Sequence, residues 1–459
     1  MAGNTERDYW KQLFLELINI IENRAEYGDI LLAKEDVVKV SSDFSTIAVS
    51  DTSHSGIKMR AFDGNSFVEC HTTDFSPANL KQKAKELVAG IKKSGKRKQL
   101  GFIDKSFKEI PKINPANISL SQKTDFVQKN IAKLKKYPVM KNARVDYDEE
   151  LTYKIFCSRN KFLDQSLSKV VLVIVGNAIN SSGDTLYEHE STLAPGFEVT
   201  KQADKLIAGL RKNLSNILKS KRIKPGKYES LLSPEISGLL AHESFGHGME
   251  SDTVYKERAK AKEYIGKRIA SSKVSIVDDP SLKLKHGSYF FDDEGQITST
   301  TYLVKNGIVR DPITEKFSAK LLHIPRTGNG RCEWIDHKSY ARMSNTFFGK
   351  GTVPMKKMLS KIKDGIYLIK GSGGMEDPKG WGVQIQGIYG QRIKNGKLVD
   401  EFFRDIGITG YLPTILGNIL DVSKEFDISD TGFCGKGHKE WVPVSTGGSY
   451  LRIKDLDLA

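Results

Sequence analysis

The chain has 459 residues, of which 39% are hydrophobic and 28% charged, and its formal net charge is +15. That is ample for a buried core and, at roughly 100–200 residues per domain, for more than one domain. No apolar run approaches the ~20 residues of a membrane helix, so a membrane-spanning chain is excluded; the longest run, residues 170–175, reads as a buried strand.

The opening residues are polar and lack an apolar signal core, which predicts a cytoplasmic protein. Cys70, Cys157, Cys332 and Cys434 are far apart and form no CxxC pair, so no disulfide scaffold is expected. Basic residues cluster around 92–98, 133–136 and 219–227. A lysine-rich solvated surface is the preferred reading. No zinc knuckle, helix-turn-helix or aromatic-rich basic motif accompanies the charge, which argues against a nucleic-acid surface. Acidic substrates or an acidic partner subunit are the third reading.

In chain order, Trp10, Leu13, Leu17 and Ile20 recur at helical spacing and predict an amphipathic helix. Short strands are expected near 30–32, 37–40, 46–49, 57–62 and 66–70, with Gly56 and Asp63-Gly64 as turns. Leu80, Ala84, Leu87 and Ile91 predict a second helix. Pro111 and Pro115 mark a linker. Beyond it come a basic helix (Phe126, Ile131, Leu134), strands near 151–157 and 169–175, and a helix with Leu206, Leu210, Leu214 and Leu218 spaced by four. From Tyr228 onward glycine is frequent and alternating runs dominate, which predicts a β-rich, mostly antiparallel domain. The expected class is α+β, with units at 1–110, 118–226 and 228–459.

Near the start of the third unit, His242-Glu243 is followed by His247, an H-E-x-x-x-H pattern. The zinc helix H-E-x-x-H carries its histidines at i and i+4 on one face. Five residues of regular helix advance about 500°, leaving the two imidazoles roughly 140° apart. Shared ligation therefore requires either a π-turn, which adds a residue, or a helix that ends at Gly246 and Gly248 so that His247 can swing back. Glu243 has the chemistry to take a proton from a zinc-activated water and pass it to the leaving amine. The competing reading is a pair of buried histidines that bind nothing. Candidates for a third ligand are Glu250, Asp252, His323, His337, Cys434, His438 and the group Asp292-Asp293-Glu294. Cys434 lies in a glycine-rich loop beside Lys436, whose charge would favour the thiolate.

With these motifs the chain resembles the TldD/PmbA family of modulator-type peptidases over nearly its whole length. The resemblance is carried by residues 240–252 around the histidines, by Phe291-Asp-Asp-Glu-Gly295, Thr327-Gly-Asn-Gly-Arg331 and Arg342-Met-Ser-Asn-Thr346, by Tyr389 through the turn at 394–397, and by Gly432-Phe-Cys-Gly-Lys436 with Val442-Pro-Val444. It implies one zinc ion held by His242, His247 and Cys434, with Glu243 as the catalytic base. It further implies cleavage of unfolded or flexible peptides and assembly with a metal-free TldE-type partner, or as a homodimer. His438 departs from the family pattern, where a non-coordinating polar residue such as glutamine is expected. The rival function is a non-hydrolytic regulatory or DNA-associated factor in which the histidine motif is structural.

Other features receive provisional roles. Asp292-Asp293-Glu294 suits a turn supporting the site. The glycine-rich segments at 328–330 and 371–374 match no phosphate-binding fingerprint and read as tight turns. Arg331 and Arg342 are candidates for a substrate channel or, equally, for surface or structural roles, and Trp334, Trp381 and Trp441 for the core.

Overall fold

The structure is a computed structural model that describes residues 4–92, 101–429, 431–437 and 439–459. Helix α1 (Asn4–Glu22) opens the chain, and Trp10, Leu13, Phe14, Leu17, Ile18 and Ile21 form its buried stripe, as the spacing predicts. Strands β1 (Tyr27–Ser42), β2 (Ile47–Phe62) and β3 (Phe67–Thr72) follow, then α2 (Pro77–Leu87) and β4 (Ile103–Lys108). After the proline-containing connection come α3 (Leu120–Lys135), β5 (Met140–Ser158), β6 (Lys161–Ile179), β7 (Thr185–Ala194) and α4 (Ala203–Leu218). Helix α3 starts with a capping box, in which the Ser119 side chain accepts from Gln122 N while the Gln122 side chain accepts from Ser119 N.

All seven strands form one sheet, in the order β3-β2-β1-β5-β6-β4 with β7 also on β6. The segments expected as two N-terminal units therefore share a single sheet, joined where β1 pairs antiparallel with β5. That pairing links residues more than a hundred positions apart, and local periodicity carries no information about it. The strands are also longer than the apolar runs suggested. Residues 30–32 and 37–40 belong to one strand, and so do 47–49 and 57–62. Gly56, read as a turn, pairs with Ala33 inside β2. A side chain there would collide with Ile335 from the C-terminal region, so the glycine permits close approach of the two regions. Asp63-Gly64 does turn, with Asp63 Oδ1 accepting from Asn65 N and Ser66 N.

Alternate residues of β1 separate the two faces of this sheet. Ile30, Leu32 and Val40 face the helical layer. Leu31 packs instead with Phe156, Leu163 and Phe291, where the C-terminal region sits.

The C-terminal region is built on an eleven-stranded sheet, mostly antiparallel. Its central strands are Asn345–Phe348, Ser445–Leu458, β9 (Gly226–Leu232), Asp364–Glu376, Gly382–Lys394 and Lys397–Tyr411, paired in that order, with the short β8 (Lys221–Arg222) beyond the last. The expected α+β class, β-rich toward the carboxyl end, is the architecture observed. Among the described residues no helix is long and apolar enough to cross a membrane, and all four cysteines are free.

Ion pairs with little or no solvent exposure join the two regions. Arg60 on β2 binds Asp29 Oδ2 at 2.7 Å and Glu294 Oε1 at 2.5 Å. Lys154 on β5 binds Asp293 Oδ1 at 2.6 Å. Asp292-Asp293-Glu294 is thus a turn in which Asp293 and Glu294 meet cations of the N-terminal sheet, while Asp292 accepts from the backbone of Glu294, Gln296 and Gly330. Of the three tryptophans expected in the core, Trp381 is fully buried, whereas Trp334 is 39% and Trp441 50% exposed.

Candidate metal centre

Helix α5 (Pro234–Ala241) is started by Ser233, whose hydroxyl accepts from Ile236 N, and by proline at the first helical position. It lies across the strand Ser445–Leu458. A Cβ at Gly238 would run into the backbone of Gly447, so only glycine allows this contact. At His242 the helix widens into a π-turn, His242–Gly246, and a 3₁₀ turn, His247–Met249, follows. Of the two ways to bring the imidazoles together, the extra residue in the turn is the one adopted. The Ser244 hydroxyl bonds back to the Leu240 carbonyl within the wide turn.

Gly246 has ordinary helical angles, φ −60 and ψ −48. It therefore supplies no conformational freedom, contrary to the alternative in which the helix ends there. It is small because Met343 Sδ occupies the space a side chain would need.

The π-turn places the His242 and His247 ring centroids 5.2 Å apart at an interplanar angle of 82°. Cys434, on the strand Phe433–Lys436 of a two-stranded hairpin, puts Sγ 3.5 Å from His247 Nε2. One donor atom from each of His242, His247 and Cys434 lies within 4.8 Å of the others. His242 is 3% exposed, and its Nδ1 is buried without a hydrogen-bond partner among the described residues. Glu243 Oε2 stands 3.8 Å from His247 Nε2.

Burial opposes the charge on Cys434, but the imidazoles of His247 and His242 outweigh it and hold the thiol well below its usual range. Burial likewise opposes protonation of His247, and Cys434 and Glu250 overcome it, raising its pKa well above the ordinary value. The cluster thus favours a thiolate, a nucleophilic and metal-binding form of sulfur.

Around the three donors lies a frame that the sequence disclosed only in part. Glu250 Oε2 is 3.8 Å from His247 Nδ1. Lys436 Nζ donates to Glu250 Oε2 at 2.8 Å and Asp252 Oδ1 at 2.7 Å. Lys436 is therefore turned to carboxylates, not to the Cys434 thiol it was expected to activate. Arg342, 1% exposed by its side chain, donates to the Cys434 carbonyl at 2.7 Å and to the Glu440 carbonyl, clamping both strands of the hairpin. It is an internal brace and does not line a channel. The i, i+3 spacing of His247 and Glu250 was the available signal for the carboxylate that supports the imidazole; the motif at 342–346 marked Arg342 but not what it would hold.

The remaining third-ligand candidates lie elsewhere. Asp252 pairs with Lys436, and His323 caps a short helix in left-handed conformation. His337 belongs to a second group with Glu333 and Glu440. Asp292, Asp293 and Glu294 meet Arg326, Lys154 and Arg60. His438 lies outside the described residues.

Residues 225–459 match the family model described as PmbA/TldA metallopeptidase C-terminal domain. A metalloprotease of Methanocaldococcus jannaschii is 32% identical over 354 residues, covering 76% of each chain. The chain belongs to the PmbA/TldD family. A protein of Saccharolobus solfataricus named zinc metalloprotease TldD homolog is 30% identical over 333 residues, covering 70% of this chain and 72% of that one. Among solved structures, a putative modulator of DNA gyrase from Thermotoga maritima superposes with TM-score 0.76 at 17% identity, covering 98% of this chain and 100% of the other. TldE from Thermococcus kodakarensis superposes with TM-score 0.74 at 16% identity, covering 97% and 100%. The last two show that the fold is shared over nearly the whole chain. The named relatives place the protein among the metallopeptidases, and that class implies a metal ion.

Proposed function

We propose that this PmbA/TldD member is a zinc-dependent peptidase whose catalytic domain spans 228–459, with His242, His247 and Cys434 as ligands of one ion and Glu243 as base. The observation that carries the reading is the convergence of the three donor atoms. A sulfur and a nitrogen bound tetrahedrally to one zinc at ~2.3 and ~2.0 Å sit about 3.5 Å apart, and Cys434 Sγ and His247 Nε2 are 3.5 Å apart. The buried, unpartnered nitrogen of His242 adds support. A set of two imidazoles and a thiolate suits zinc better than calcium or magnesium, which prefer oxygen.

When bound, zinc supplies Lewis acidity to polarise the scissile carbonyl and acidify water. Glu243 Oε2 takes the proton from the attacking water and returns it to the leaving amine. Glu250 holds the imidazole of His247 in orientation, and Arg342 holds the Cys434 hairpin against the turn. The substrate class is unfolded or flexible peptide. The working form is an assembly with a TldE-type subunit, a reading supported by the shared fold with the Thermococcus kodakarensis protein of that name.

Elemental analysis of the purified protein, with cleavage of an unfolded protein by wild type and Glu243→Gln in the presence of the partner, tests the proposal. Bound zinc in both and cleavage by wild type alone are expected. Zinc-free protein that binds DNA would support the regulatory rival.

A further inference from the structure

Between the second face of the N-terminal sheet and the C-terminal region lies a cavity of about 540 Å³, within the usual size range of a small-ligand site. Phe433 and Trp441 form part of its wall, and Phe433 directly precedes Cys434 on the hairpin. The cavity and the proposed metal centre therefore share a wall.

Two buried cations face this space. Arg331 is 8% exposed. Its Nη1 donates to the Met343 carbonyl at 2.8 Å, and its guanidinium lies 5.0 Å from the centre of the Tyr289 ring. Among the described residues it makes no ion pair, and the Met343 carbonyl is the one hydrogen-bond partner of its fork. Lys169, 7% exposed, donates from Nζ to the His286 carbonyl at 2.5 Å and also makes no ion pair among the described residues. Burial, joined by repulsion from Arg331, pushes Lys169 down to about 8. Glu150 is near enough to Lys169 to offset part of that effect. Other carboxylates line the cavity too: Asp293 is bonded to Lys154, Glu149 to Lys123, and Asp292 lies 3.6 Å from Arg326, while burial raises Asp148 and, with repulsion from Glu150, pushes Glu35 up to about 7, which disfavours their charged forms.

Burying a guanidinium without a carboxylate is costly, and a planar fork with free donors is the shape that accepts a carboxylate in bidentate fashion. Arg331 also closes the Thr327-Gly-Asn-Gly-Arg331 motif, which the metal centre does not use. Its contact with Met343 connects it to the π-turn, because Met343 packs against Gly246.

We propose that Arg331 and Lys169 form a receptor for a peptide carboxylate, so that the cavity takes up an acidic group of the substrate or product beside the metal centre. The identity of the ligand as a peptide rests on the peptidase reading; the anion site itself does not. The carboxylate has two possible sources, a chain terminus or an acidic side chain.

The test is peptide binding by calorimetry to the full chain carrying Glu243→Gln, which prevents turnover. The probe is Ala-Ala-Glu-Ala-Ala, with its carboxyl-amidated form and its Glu→Gln form. One of the two changes is expected to weaken binding about tenfold or more, as loss of a charge-assisted bidentate contact would, and the sensitive form identifies the source. Lys169→Met and Arg331→Gln should abolish that discrimination. Lys169→Met retains the Arg331–Met343 contact and keeps the test valid if Arg331→Gln unfolds. Equal affinity for all three peptides, no binding to wild type or Glu243→Gln protein, or undiminished discrimination in Lys169→Met would overturn the proposal. Failure of zinc-loaded wild type to cleave any peptide would defeat the peptidase reading and leave the binding result standing.

Discussion

His242, His247 and Cys434 form a donor set drawn from a π-turn and a hairpin and largely buried, whereas Glu333, His337 and Glu440 form one that is half-exposed and bonded within itself. In the second group His337 Nδ1 lies 3.1 Å from Glu440 Oε2 and 3.8 Å from Glu333 Oε2. Imidazole and carboxylates there satisfy one another beside solvent. In the first group a buried nitrogen has no partner among the described residues, and a thiol is held toward its charged form. Proximity of donors is common to both groups. What separates them is burial and the one imidazole nitrogen, His242 Nδ1, that is left without a partner among the described residues, since buried polar atoms seldom go without one.

The largest expected effect is on catalysis. Glu243→Gln should lower the cleavage rate of an unfolded protein about 10²–10⁴-fold, the usual contribution of a general base, while zinc content stays at the wild-type level. Loss of zinc in that variant would show Glu243 to be a ligand. Next comes metal content. His242→Ala and Cys434→Ala should each reduce bound zinc from about one ion per chain toward none, because a site of three protein ligands loses its closure. His337→Ala should leave the content unchanged, and a fall there would erase the contrast between the two groups.

The difference between buried and exposed groups extends to stability. Burial opposes ionisation of Asp29 and Glu294, but Arg60 outweighs it for both, aided by Lys316 at Asp29 and by Arg326 at Glu294, so both carboxyls titrate below their ordinary values. Between the folded and unfolded pKa values the unfolded chain binds more protons, so this stabilisation is present above the ordinary carboxylate range and is lost as pH falls through it. Glu294→Gln should cost about 3–5 kcal/mol near neutral pH, as expected for a broken buried ion pair. Its melting temperature should also fall less steeply than that of wild type below pH 4.5.

Two glycines under the proposed site give smaller effects. Gly238→Ala would meet the backbone of Gly447, which cannot yield, and should cost at least about 1–3 kcal/mol in chemical denaturation. Gly246→Ala meets only the thioether of Met343, so it should cost less, and Met343→Ala should relieve part of that cost. The smallest effect is expected for His337→Ala, under about 1 kcal/mol, because its ion pairs are half-exposed and screened by solvent.

Periodicity in the sequence identified α1 from Trp10, Leu13 and Leu17, and α4 from its four leucines, because each helix presents one apolar stripe to one core. The strands were legible only as short pieces. Residues 47–55 of β2 are exposed and polar or mixed, so they carry no alternation, and the strand was read as two pieces. Trp334 and Trp441 were misplaced because residue type alone does not reveal which aromatic groups line an open cavity.

The spacing of His242, Glu243 and His247 by itself determined that a regular helix could not bring the two imidazoles together, since backbone geometry fixes the angle per residue. That the turn would be a π-turn, and that Gly246 is small to admit Met343, depended on what packs against it. The placement of Cys434, 187 residues from His247, was likewise decided only by the tertiary structure. Hydrogen-bonded register and buried braces such as Arg342 bring such distant segments together, and neither leaves a periodic trace in the chain.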